Sequence, residues 1–418
     1  MQRALGIVAD DFTGALMVAG YLESAGVHCP VLFDPGADIP PSAVVIAGTR
    51  TRTVPVAEAL DQLARFADAF ARAGCKRLAY KACASFDSTE DGNIGPAADY
   101  LADRAGMRPV LMSAGFPRFG TTVHQGYMFY RGRLVSESIK RFDPLTPMSD
   151  PDLVRFLGRQ TPHRIALLNH ATLLKGPEAA ISAIEAFASE GAGHVLLDTT
   201  DDGDVVVSAS IAAAMPCVVV ASDPLVIAYA TCLGRAEASE KVAWPQHVEG
   251  PAAVLAGSVG PVVLAQLAAF SEYFPVLKLD LTDPAGEEGL VSHALDWADG
   301  RIGERPFAIS TAAGPQEVAA VQAAFGPIAA ARRAERILGA IAKGLRDRGV
   351  RRFVVAGGET SGAVVDALGI TAVRALPEGR LGTGFCVSSG AVPLSLYLKP
   401  GKLGADDILL RAIEAMDL

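Results

Sequence analysis

The sequence predicts an α/β protein of two domains, each a mainly parallel sheet flanked by helices, with the active site in the cleft between them. Three observations carry this expectation. Near-continuous apolar runs alternate with Ala-rich helical stretches, the pattern of parallel strands covered on both faces. The chain has 418 residues, beyond the ~100–200 of one typical core. The polar segment 235–251, with Pro245, Gly250 and Pro251, breaks the rhythm before it restarts. The expected division is a first domain at 1–235, a linker at 236–251 and a second domain at 252–418.

In chain order, Leu-Gly-Ile-Val-Ala at 5–9 opens as a strand, and an Ala-rich helix follows at 15–25. Apolar runs at 31–33, 44–47 and 77–81 read as strands around a helix at 57–73. Further strands fall at 110–113, 165–169, 195–198 and 218–221, with helices at 97–104 and 178–190 between them. Past the break, strands are expected at 253–256, 276–279, 307–310, 353–356 and 394–399. Helices there are expected at 261–270, 290–298, 329–348, 363–368 and 406–416.

Half the residues are hydrophobic and 20% are charged, enough to bury large cores. The formal net charge of -9 disfavours nucleic-acid and anionic-membrane partners. No apolar stretch approaches the ~20 residues of a membrane span. The start of the chain does not read as a signal peptide, so a cytoplasmic location is expected. The six cysteines form no CxxC pair and no metal-ligand spacing, which leaves them as small reduced core residues and singles out none as a metal ligand.

In parallel sheets, ligands bind where strands end and helices begin. At the first such edge stands Asp10-Asp11-Phe12-Thr13-Gly14. Paired acids there suit orienting a hydroxyl, holding a cation through water or general-base work, while Asp11 or Thr13 also suits helix capping. Arg50 and Arg52 follow the strand at 44–47, and an Arg can hold a carboxylate with two hydrogen bonds. Lys81, Asp87 and Ser88 follow the strand at 77–81 and offer one cation with several hydrogen-bonding groups, or simply a turn.

In the second half, Gly357-Gly358-Glu359-Thr360 joins strand to helix, the geometry that binds phosphate with backbone N–H groups. It lacks both the Walker Lys and the GxGxxG spacing. Gly257-Ser258-Val259-Gly260 repeats the strand–glycine–helix pattern, and Lys399-Pro400-Gly401-Lys402-Leu403-Gly404 adds lysines and glycines before a helix.

The motifs at 10–14, at Lys81 with Asp87-Ser88, at 357–360 and at 399–404, together with Gly92-Asn93-Ile94-Gly95-Pro96, resemble the four-carbon acid sugar kinase family in order and over nearly the whole chain. The resemblance implies an N-terminal acid-sugar domain and a C-terminal nucleotide domain. It implies that Asp10, Asp11, Arg52, Lys81 and Asp87 line the sugar-acid site. It also implies that Ser258, Gly357, Gly358, Glu359, Thr360 and Gly401 contact ATP. The segments holding Gln125 and 143–148 look closer to the 3-oxo-tetronate kinases than to the threonate branch, which adds Gln125 to the substrate set. Arg50 stands where a Lys is common, and Lys-Pro-Gly-Lys-Leu-Gly replaces an expected Lys-Ser-Gly-Asn-Phe-Gly.

The expected activity is transfer of the ATP γ-phosphate, with Mg2+, to a hydroxyl of a small sugar acid. A 3-oxo-tetronate is the expected acceptor, with threonate, erythronate or a branched acid such as 3-oxo-isoapionate open. Asp10 or Asp11 is the expected base, Asp87 the reserve. The partners are then small molecules, with a homodimer left open. A nicotinamide-dependent dehydrogenase is the competing enzyme class, disfavoured by the missing GxGxxG. A non-catalytic sugar-acid binding protein is the other, disfavoured by the phosphate-type loops.

Overall fold

The helix Val56–Arg72, α2, shows how the sequence builds the layers. Ala59, Leu63, Phe66, Ala67 and Phe70 recur at helical spacing and are buried, while Glu58, Asp61 and Arg65 lie on the other side. Burying Leu63, Phe66 and Phe70 contributes about 1.5–3 kcal/mol each. The computed structural model describes residues 3–143, 145–237, 243–257, 260–401 and 403–417. The chain divides into two compact units, Met1–Val242 and Ala243–Leu418.

In the first unit the strands are β1 (Arg3–Ala9), β2 (Pro30–Leu32), β3 (Val44–Gly48), β4 (Cys75–Lys81), β5 (Val110–Ser113), β6 (Thr121–His124), β7 (Tyr127–Tyr130), β8 (Arg133–Leu134), β9 (Arg164–Leu168), β10 (Ala192–Leu197) and β11 (Val219–Ala221). The helices are α1 (Phe12–Ser24), α2 (Val56–Arg72), α3 (Ile94–Ala105), α4 (Leu153–Leu157), α5 (His170–Leu173), α6 (Pro177–Ser189), α7 (Asp202–Ala214) and α8 (Asp223–Glu237). The sheet runs β2-β3-β1-β4-β11-β5-β10-β9, and every pairing in it is parallel. Strands β6, β7 and β8 form a separate antiparallel meander that the sequence pattern does not predict.

Register decides which residues meet. Gly48, Ala9, Lys81, Ala221 and Ser113 lie side by side on neighbouring strands. Each of these strands therefore ends at the same level, and the loops leaving it share one edge.

In the second unit the strands are β12 (Ala252–Ala256), β13 (Val276–Lys278), β14 (Phe307–Ser310), β15 (Arg352–Ala356), β16 (Ala372–Ala375), β17 (Phe385–Ser388) and β18 (Ser395–Lys399). The helices are α9 (Pro261–Ser271), α10 (Gly286–Asp299), α11 (Pro315–Phe325), α12 (Pro327–Asp347), α13 (Gly358–Ala367) and α14 (Ile408–Ala415). Strands β13-β14-β12-β15-β18 are parallel, and β17 and β16 continue antiparallel. Again the strand ends align: Lys278, Ser310, Ala256, Ala356 and Lys399 form one row. Val254, Val354 and Tyr397 pack with Phe270 of α9 and Leu409 of α14 in a continuous core.

Among the described residues, no helix is long and apolar enough to cross a membrane. Cys29, Cys217 and Cys386 are buried as expected of small core residues, whereas Cys232 is exposed.

Candidate active site

Strand β1 delivers Asp10 to the sheet edge, and the chain then turns into α1. Asp11 caps that helix: its carboxylate accepts from the Gly14 N–H at 2.9 Å and from the Thr13 hydroxyl at 2.9 Å. Capping and charge placement are thus one arrangement. Asp10 is 3% exposed. Its carboxylate receives Arg52 through Nε and Nη2, each at 3.0 Å, and the Cys83 N–H at 3.1 Å. The Arg52 Nη2 also reaches Asp11 at 3.0 Å. The guanidinium therefore bridges both acids.

Lys81 ends β4 directly beside Ala9. Its ammonium lies 3.8 Å from Asp10, 3.7 Å from Asp11 and 3.4 Å from Asp223. Gly14 makes this approach possible, because a Cβ there would stand 2.3 Å from the Lys81 Nζ. Burial works against charge on Asp11, but Arg52 and Lys81 outweigh it and hold its carboxyl well below the ordinary range. Burial likewise opposes charge on Lys81, and Asp223, Asp11 and Asp10 overcome it, so the ammonium stays protonated. Asp223 responds the other way: burial raises it, and Lys81 offsets only part.

The loop after β4 places Asp87 next to this group through Cys83. The Cys83 thiol donates to Asp87 at 3.3 Å, and Lys140 clamps the same carboxylate at 2.9 and 2.8 Å. Burial would raise Asp87, but the Lys140 charge and hydrogen bonds pull it below the ordinary value. Phe86, fully buried with a φ of 45°, holds the loop in a backbone region that side chains seldom occupy.

The other expected substrate residues behave differently. Arg50 is half-buried in the same loop as Arg52, its N–H 3.5 Å from the Gln62 side-chain oxygen. Ser88 is buried and accepts from Gln160 at 3.1 Å, a loop-holding role. Gln125 is exposed at the β6–β7 turn, where its N–H and that of Gly126 donate to Asp198 at 2.8 and 2.9 Å. Asp223 and Lys140 join the site without having been expected there. Asp223 has a readable signal, since it follows a predicted strand and opens a helix. Lys140 sits in a short segment without periodicity and has none.

In the second unit, Gly357 has a φ of 132° and leads into α13. The helix begins at Gly358, five residues before the predicted start, so Glu359 and Thr360 lie in its first turn. Glu359 is exposed and Thr360 buried. A Cβ on Gly257, at the end of β12, would lie 2.4 Å from the Thr360 hydroxyl, so the two glycine segments adjoin. Gly401 is half-buried in the turn after β18. Gln266 of α9 anchors the stretch beyond it, its amide reaching the carbonyls of Leu403, Gly404 and Ala405 at 3.1–3.2 Å. Ser258 and Lys402 lie outside the described residues. With backbone N–H groups at a helix start and little side-chain bulk, this edge fits a phosphate chain.

The family model "Sugar-binding N-terminal domain" matches residues 5–229, and "Nucleotide-binding C-terminal domain" matches 253–409. The fold and the two matched halves define a two-domain α/β protein with one sugar-binding and one nucleotide-binding part. The chain belongs to the four-carbon acid sugar kinase family. A Methylobacterium radiotolerans protein called 3-oxo-tetronate kinase is 39% identical, covering 100% of both chains. A Burkholderia multivorans protein of the same name is 37% identical, over 99% of this chain and 97% of its own. A crystal structure from Salmonella typhimurium LT2, solved as a candidate tRNA synthase, is 29% identical with a TM-score of 0.84 over 98% of each chain.

Proposed function

We propose that this chain catalyses ATP-dependent phosphorylation of a hydroxyl on a small sugar acid, with a 3-oxo-tetronate as acceptor. The name shared by full-length relatives at 39% and 37% identity supports the reaction and the acceptor. The observation that carries it is the group of buried Asp10 and Lys81 with partly exposed Asp11 and Arg52 at one strand edge. Cations that can take a carboxylate stand beside carboxylates that can take hydroxyls. The unit holding residues 3–237 is then the acid-sugar domain, and the unit from Ala243 the nucleotide domain.

In this reading Lys81 and Arg52 bind the acid's carboxylate, and Asp10 and Asp11 orient the attacking hydroxyl. The hydroxyl oxygen forms its bond to the γ-phosphorus as the bond to the ADP oxygen breaks. The hydroxyl proton passes to Asp10 or Asp11. Asp11, held well below the ordinary range by its cations, is a weak base, so a proton bound for it moves late, as a loose phosphoryl transfer permits. Among the described residues no cluster of three or more acidic, His or Cys side chains is placed to hold a metal ion. Mg2+ would enter with the phosphates of ATP and offset their charge. Dependence on ATP supports a cytoplasmic location. A tRNA substrate would need a strongly basic surface, and a net charge of -9 works against one.

The test is ADP release from purified protein over tetronates, 3-oxo-tetronates and branched five-carbon acids. Asp10→Asn and Asp11→Asn should each lower kcat by roughly 100-fold or more while the protein stays folded. Undiminished turnover in a folded double variant would sink the assignment. Highest kcat/KM on an acid other than a 3-oxo-tetronate would correct the acceptor alone.

A further inference from the structure

The glycine turn at 357–360 carries no cation of its own. The neighbouring strand does. Lys399 ends β18 in register with Ala356, and its carbonyl accepts the Gly357 N–H at 3.0 Å. Its side chain is 2% exposed. The ammonium donates to the Pro400 carbonyl at 2.8 Å, and no carboxylate pairs with it among the described residues. Burial alone pulls it down to about 8 from the ordinary 10.5.

A lysine taken out of water without a counter-ion is costly, and proteins usually pair such a group or let it lose its proton. This one stands in the row of strand ends where β12 passes toward α9 and β15 passes into α13. Three strands over from β18, just past β14, Thr311 keeps a buried hydroxyl without any hydrogen-bond partner. Its own N–H is tied to Ala256 at 2.9 Å, which fixes it at the same edge. A buried ammonium without a counter-ion, on the strand next to the one that passes into α13, is complementary to an anion with several oxygens, and Thr311 offers a further donor along the same row of strand ends.

We propose that Lys399 supplies, from the adjacent strand, the phosphate-binding cation that the glycine turn lacks. It contacts the phosphates of the bound nucleoside triphosphate, and the phosphates complete its ion pairing. The proposal rests on the nucleotide reading of this unit.

Calorimetric titration of the full chain with adenosine, ADP and ATP, each with Mg2+, tests it. Lys399→Met should weaken ADP and ATP binding about 10- to 100-fold, the worth of a charge-assisted hydrogen bond, and leave adenosine unchanged. The ligand-free variant should melt no lower than wild type, since an uncompensated buried charge has gone. Unchanged ADP and ATP affinity would overturn the proposal, and so would an equal loss for adenosine, which marks a structural role. A folded wild type that binds no nucleotide would instead overturn the nucleotide reading, and this proposal with it. Acylation of Lys399 in wild type, followed by mass spectrometry, works without any variant. ATP should protect Lys399 while adenosine does not, and equal labelling in both would refute the contact.

Discussion

Lys140 reaches back to Asp87 from a short helical turn and gives that carboxylate two hydrogen bonds at 2.9 and 2.8 Å. Both side chains are largely shielded, so removing one leaves the other charged and unpaired. Lys140→Met should cost about 3 kcal/mol at neutral pH, measured by urea unfolding. The sign of the pH effect follows from the lowered Asp87. The pair's contribution is complete above the ordinary aspartate value of 3.8 and is lost as pH falls through the lowered one. The gap between variant and wild type should therefore close at strongly acid pH. A constant gap would mean that Lys140 acts through packing. Asp10, Asp11, Arg52 and Lys81 are legible in the amino-acid sequence because each stands where an apolar, strand-like run ends. That one guanidinium holds both acids, and that Asp223 completes the set, is not legible there. Those contacts depend on strand order, which brings β11 next to β4 across long stretches of sequence.

At the scale of elements, the parallel strands are legible because they are short, apolar and buried on both faces. The β6–β7 meander is not. Its turn is Gln125-Gly126, with φ values of 53° and 76°, and Gln lacks the turn preference that Asn brings to such a position. Helix α11, which the pattern does not predict, ends at Phe325, and Gly326-Pro327 restarts the chain as α12, close to the single long helix expected. Helix α13 starts earlier than its sequence suggests because Gly and Ser are poor helix residues, yet Gly357 at φ 132° sets the turn and Gly358 opens the helix. Gly357→Ala should cost about 1–3 kcal/mol in stability and weaken ATP binding at least as much as ADP binding. Thermal melts with and without nucleotide measure both effects. A variant as stable as wild type would show that the turn tolerates a side chain.

At the scale of the whole molecule, each unit has its own aligned row of strand ends. Ligand at about 100 times its Kd should stabilise what it binds by about 2.7 kcal/mol. Hydrogen exchange on the full chain should then show ATP slowing amides around 257 and 357–361, and a sugar acid slowing those around 10–14 and 81–87. Protection in the opposite units would reverse the assignment of the two halves. The mixture of charges around Lys81 has a consequence for what the first unit admits. Its ammonium is already surrounded by Asp10, Asp11 and Asp223. A plain carboxylate such as acetate would have to displace those acids from the cation and would offer them no hydrogen in return. A polyhydroxylated acid brings its own O–H groups to the acids it displaces. On the proposed role of Lys81, the resting ion pairs themselves disfavour abundant simple carboxylates.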